Sequence, residues 1–173
     1  MARRQVCIEA GVNARVVSRS RLTISCCLMA NAGFVRLNSR FGAGVLDEAP
    51  FEAAAGLLYH PERRASGFRA QLCHCNAARV VHGAALSLLA DYAMYVIAKG
   101  SYDASPSLGG VTASLSTEFM AAARVGQWIE ATGELLKDTR ELVYVRGKVS
   151  ADGKLCATFH GLIKKRIEQQ SKL

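Results

Sequence analysis

Apolar and polar positions along this chain change period several times, and each change predicts an element. His82 to Ala98 (HGAALSLLADYAMYVIA) is the most apolar run in the sequence, and its length predicts a helix of about 16 residues. Gly83 opens it, and Lys99-Gly100 supplies a cation in the last turn and a helix-stopping glycine. Upstream, Ser66 to Cys75 alternates, with Phe68, Ala70 and Leu72 on one face and Arg69, Gln71 and Cys73 on the other. That is the pattern of a half-buried strand. Before it, Asp47 to Tyr59 reads as a short helix with Pro50 near its first turn. After the loop Ser101 to Gly110 the pattern turns to strands, and Val111, Ala113, Leu115, Thr117 and Phe119 are expected to share one face of the first. Gln127 to Leu136, Leu142 to Val149 and Lys154 to Lys164 come next, the last two joined by a tight turn at Asp152-Gly153. One long helix followed by an antiparallel meander predicts an α+β domain whose curved sheet wraps the helix.

One residue disturbs that picture. At a helical period Ala84, Leu88, Asp91 and Tyr95 fall on a single stripe, which the apolar run predicts to face the core. A carboxylate there loses water, at a cost of several kcal/mol unless it is paired or neutralised. Acids in such places are functional candidates.

The chain has 173 residues, half of them apolar, enough for one domain with a real core. The net charge of +8 and the sequence pI of about 9.4 suggest a polyanion partner until their distribution is considered. Residues 1–42 carry seven arginines and one acid, Glu9, so the leader holds most of the excess and the body is nearly neutral. Basic residues are not interleaved with aromatics as single-stranded nucleic acid requires, and no nucleic-acid partner is expected. Residues 1–45 are expected to lie outside the fold, with the domain spanning 46–173. The Arg- and Ser-rich leader is compatible with a transit peptide, a tail, or a chain whose start is Met29. Cytoplasmic location is the expectation, with mitochondrial targeting the alternative. No apolar run approaches the roughly 18 residues of a membrane span.

Of the six cysteines, Cys73 and Cys75 flank His74, but on a strand the two thiols would share a face while His74 points away. No second ligand pair completes a metal site, and no metal or redox cofactor is implied. The chain lacks a Gly-x-Ser-x-Gly elbow and a phosphate loop, and Gly42-Ala-Gly44 lacks the third glycine of a dinucleotide fingerprint. Asn76, then His82-Gly83, then Asp91 remain as candidates. A glycine at a helix start leaves N–H groups without intrahelical partners, backed by the positive end of the dipole, and has no Cβ to block approach. Such an end can hold a carbonyl oxygen as it becomes an oxyanion. Gly83 and Asp91 are eight residues apart, about 12 Å along one helix, so they cannot serve one carbonyl within one chain. Two helices packed antiparallel across a two-fold axis would bring Gly83 of one copy to Asp91 of the other.

The pattern Asn-x5-His-Gly-(Gly/Ala)-x6-Asp, followed by Gly110-Val-Thr112, Glu118-Phe-Met120 and the strand Gly126 to Lys137, resembles the hot-dog-fold acyl-CoA thioesterases of the phenylacetate-degradation type over residues 50–165. The resemblance implies that Asp91 is nucleophile or general base and that the Gly83 N–H polarises the thioester carbonyl. It further implies that Asn76 and Thr112 place substrate and water, with His82 and Ala84 beside the substrate. Ala84 replaces the family's second glycine. Arg140, Arg146, Lys164 and Lys165 could meet coenzyme A phosphates or simply be solvated. The implied partners are an acyl-CoA and further copies of the chain, as a homodimer or homotetramer. A non-catalytic acyl-CoA-binding module, or a hot-dog hydratase or dehydratase, is the alternative.

Overall fold

The computed structural model describes residues 33–36, 51, 54–60, 62–98 and 110–165. They include a seven-stranded sheet and one long α-helix: β1 (Val35–Arg36), β2 (Leu58–His60), β3 (Ala65–Arg69), α1 (Gly83–Ile97), β4 (Gly110–Phe119), β5 (Trp128–Asp138), β6 (Leu142–Ala151) and β7 (Lys154–Lys165). Every strand pair is antiparallel, in the order β1-β2-β3-β5-β6-β7-β4. The helix links β3 to β4, which lies at an edge of the sheet, and it packs against strands β3 to β7. This is the expected α+β arrangement.

Glycines let the sheet approach the helix so closely. Gly133 and Gly147 face each other across β5 and β6, and Gly161 on β7 pairs with Val145 and Leu115. A Cβ on Gly133 would overlap the Arg146 carbonyl oxygen and press on Ile97 of the helix, and one on Gly161 would overlap Met94 Sδ. The seam is filled by Leu86, Leu89, Ala90, Ala93, Met94 and Ile97 packed on Phe68, Ile129, Val143, Val145, Phe159 and Ile163. Each large apolar side chain buried there contributes about 1.5–3 kcal/mol.

Four expectations change. Helix does not continue to Tyr59: Gly56 takes φ +65, and Leu58–His60 is a strand with Leu58 and Tyr59 buried. The left-handed glycine ends the helical turn at Phe51 and Ala54, and pairing with β3 holds residues 58–60 extended. The strand expected over 66–75 stops at Arg69, and Leu72–His74 forms a 3-10 turn. Gln71 and His74 cap each other across that turn, which leaves Leu72 exposed instead of sharing the buried face of Phe68 and Ala70. Within the segment expected to lie outside the fold, Val35–Arg36 pair with β2 and Phe34 is buried against Trp128, ring centroids 4.8 Å apart. Residues 1–32 and 37–45 lie outside the described residues, as do the loop 101–109, Lys99 and Gly100.

The stripe Ala84–Leu88–Asp91–Tyr95 does not face the core. Ala84 is exposed and the other three are half-buried, while Leu86, Leu89, Ala90, Ala93, Met94, Val96 and Ile97 are buried. The helix is apolar almost all round, so its period gives little contrast between faces, and the sheet takes the neighbouring one.

Candidate active site

The helix start is built by its own cap. His82 adopts extended backbone, and its Nδ1 accepts the Ala84 N–H at 3.0 Å. The N–H groups of Ala85 and Leu86 both go to the His82 carbonyl oxygen. The Gly83 N–H is left without a partner among the described residues, at the positive end of a four-turn helix. The Phe119 ring lies over this glycine, close enough that a Cβ there would sit 3.2 Å from its Cζ. The approach to the helix is fixed by the His82 N–H donating to the His74 carbonyl at 2.8 Å and the Val81 N–H to Ala123 at 2.9 Å.

His74 anchors that approach. Its Nδ1 accepts the Gln71 N–H at 3.0 Å and its ring packs edge-on against Phe68. Burial pushes the imidazole below its ordinary range, and a bond to the Ala55 backbone opposes this. With its ring so engaged, His74 is not offered to a metal, and Cys73 and Cys75 stand on a turn rather than one strand face. Among the described residues no group of three or more His, Cys, Asp and Glu could hold a metal ion. Asn76 uses Oδ1 to accept the N–H groups of Ala78 and Val80, at 3.0 and 3.2 Å, which closes the loop before the helix. Its carboxamide N–H groups have no partner among the described residues, so the turn role leaves its donors open.

Two turns along the helix a second group assembles. Thr112 Oγ1 donates to Asp91 Oδ1 at 2.6 Å, a short charge-assisted bond. Tyr95, one turn after Asp91, places its hydroxyl 3.0 Å from Thr112 Oγ1 and 3.4 Å from the Gly110 carbonyl oxygen. Burial raises the Tyr95 phenol above its ordinary value; the Thr112 bond lowers it and the Asp91 charge raises it further. Asp91 Oδ2 has no hydrogen-bond partner among the described residues.

A bulge makes this possible. Strict alternation along β4 would put Val111, Ala113 and Leu115 on the helix side and turn Thr112 away. Instead the register with β7 shifts between Thr112 and Ser114, leaving Ala113 as the extra residue. The phase inverts there: Thr112 points at the helix with Leu115, and Val111 is exposed. Tyr95 stands out in the sequence only as a member of the stripe with Asp91, and its partnership with Thr112 depends on this bulge.

The six candidate residues therefore form two clusters, Asn76, His82, Gly83 and Ala84 at the helix start and Asp91 with Thr112 in its third turn. The helix rise keeps Gly83 and Asp91 about 12 Å apart in one chain. Of the candidate phosphate partners, Arg146 is ion-paired with Glu134 at 2.6 Å and Lys165 with Asp138, while Arg140 and Lys164 are exposed.

Residues 78–157 match the family model of the thioesterase superfamily. A Pseudomonas aeruginosa protein assigned by inference as an esterase is 30% identical over 90 residues, and the alignment covers 51% of this chain and 65% of that relative, less than two thirds of its length. Among solved structures, a variant of the phenylacetic acid degradation protein PaaI from Thermus thermophilus superposes with a TM-score of 0.58 at 24% identity, over 66% of this chain and 97% of that one. A hypothetical thioesterase from Streptococcus pneumoniae, solved with coenzyme A, gives 0.52 at 16% identity over 64% of this chain and 81% of that one. With an antiparallel sheet wrapped on one long helix and the matched segment running from the helix approach into the last strand, the chain has the hot-dog fold, and its residues 78–157 are similar to the thioesterase superfamily.

Proposed function

We propose that this protein hydrolyses an acyl-CoA thioester, with Asp91 as the general base. The observation that carries this reading is the half-buried Asp91 carboxylate, pinned through Oδ1 by Thr112 with Oδ2 left open. A base needs one oxygen held and the other free toward water. The likeness to thioesterases, one of them solved with coenzyme A, supports the substrate class.

In this mechanism Asp91 Oδ2 takes a proton from water as the water oxygen bonds to the thioester carbon. Thr112 Oγ1, its own proton committed to Asp91, accepts the second water hydrogen. The carbonyl oxygen becomes an oxyanion held by the N–H of Gly83 of the partner subunit, and Asn76 of the partner subunit donates to the same substrate. The C–S bond then breaks, and the thiolate takes the proton from Asp91, giving free acid and CoA.

The two-chain site rests on the separation of Gly83 and Asp91 along the helix. Two features support the pairing. The stripe bearing Asp91 is only half-buried in the single chain. The edge strand β4 has no partner on its outer side among the described residues and exposes Val111 and Phe119. Asp91→Asn assayed for thiol release across short, medium-chain and aromatic acyl-CoAs tests the reading, and hydrolysis at the wild-type rate would sink it.

A further inference from the structure

We propose that Tyr95 is a positioning residue: its hydroxyl donates to Thr112 Oγ1 and so directs the single Thr112 proton onto Asp91. As a role in catalysis, this rests on the thioesterase reading above. A count of protons decides it. A threonine hydroxyl has one hydrogen and two lone pairs. At 2.6 Å from a carboxylate oxygen, which offers no proton when ionised, that hydrogen is committed to Asp91. The Tyr95–Thr112 contact at 3.0 Å is then a bond in which Tyr95 donates and Thr112 accepts. The other acceptor within reach of the phenol, the Gly110 carbonyl oxygen, is farther at 3.4 Å.

With one Thr112 lone pair filled by Tyr95, the hydroxyl cannot rotate to send its proton toward the phenol. The chain Tyr95→Thr112→Asp91 runs one way. Spacing fixes it as well, because Tyr95 stands four residues after Asp91 and therefore on the same helix face, directly against the bulged segment of β4. Burial and the neighbouring Asp91 charge raise the phenol above its ordinary value, so it keeps its proton at neutral pH. Asp91, from the same helix, is the charge that reaches Tyr95, while β4 presents it a hydroxyl and a backbone carbonyl. Tyr95 touches neither water nor substrate in this scheme and acts through Thr112.

The test is a double-substitution cycle on the full chain with Tyr95→Phe, Thr112→Val and both together, assayed by thiol release from the best acyl-CoA. Tyr95→Phe is expected to lower kcat about 3- to 10-fold, the loss of one ordinary hydrogen bond, with KM within about twofold. The double variant is expected to match Thr112→Val within about twofold, because Tyr95 has nothing left to orient. A Tyr95→Phe kcat equal to wild type, or losses that multiply in the double variant, would overturn the proposal. A second measurement is independent of turnover: the ring-carbon NMR titration of Tyr95, expected above pH 10 in wild type and lower in Asp91→Asn. Identical titration in the two proteins would also overturn it. If wild type releases no thiol from any acyl-CoA, the hydrolase reading fails, and the titration alone still decides whether the Tyr95–Thr112–Asp91 chain exists.

Discussion

Replacing Thr112 with valine removes one hydrogen-bonding atom from the centre of the site while keeping its volume. The lost interaction is a 2.6 Å O–H···O⁻ bond to Asp91. Hydrogen bonds to charged groups are worth about 1.5–3 kcal/mol, and the lower half of that range applies because Asp91 and Thr112 are half-buried and partly solvated. At 1.36 kcal/mol per factor of ten, kcat should fall about 13- to 45-fold. Stability should change less. Water can reach the orphaned Oδ1, and Tyr95 still has the Gly110 carbonyl oxygen as acceptor. A net cost of about 1 kcal/mol corresponds to a fall in Tm of roughly 2–4 °C for a chain of this size. The assay is release of free thiol from saturating acyl-CoA, with a thermal melt on the same sample and Thr112→Ser as the control that restores the hydroxyl. If Thr112→Val turned over within twofold of wild type while Asp91→Asn was inactive, the hydroxyl would have no part in holding the base.

Three further outcomes rest on the same geometry. Gly83→Ala should fold, since the added Cβ meets only the tip of the exposed Phe119 ring at 3.2 Å, yet lose about 10-fold or more in kcat because the methyl crowds the open N–H; wild-type kcat would remove Gly83 from the oxyanion role. His82→Ala deletes the side-chain cap on the Ala84 N–H and should cost about 0.5–2 kcal/mol, read as a lower urea midpoint, and an unchanged midpoint would refute the capping assignment. His74 has a folded pKa below its unfolded value, so its contribution to stability is present above pH 6.5 and is lost as pH falls through the folded value. Wild type should therefore lose more Tm between pH 7.5 and 5 than His74→Gln, and equal losses would show that His74 is not the acid-sensitive group.

Much of this protein is local and therefore readable from the chain. The helix Gly83–Ile97, the strands β5 to β7 and the Asp152-Gly153 turn lie within a residue or two of where period and turn chemistry predict them. The residue types of the site, a helix acid and an open glycine at a helix start, are legible because each carries its chemistry in its own side chain or backbone. So is the separation of Gly83 from Asp91, which helix rise alone sets at about 12 Å.

Tertiary packing decided the rest. An almost wholly apolar helix does not specify which stripe the sheet will cover, and the sheet covers Leu86, Leu89, Ala93 and Ile97 rather than the stripe with Asp91. The burial of Phe34 and the extension of Leu58–His60 come from partners distant in sequence, Trp128 and β3. Above all, strict two-residue alternation would have turned Thr112 away from the helix. Only the register of β4 against β7, with its extra residue at Ala113, rotates that hydroxyl onto Asp91 and within reach of Tyr95. A bulge is a property of two paired strands, so no pattern within β4 alone could reveal it.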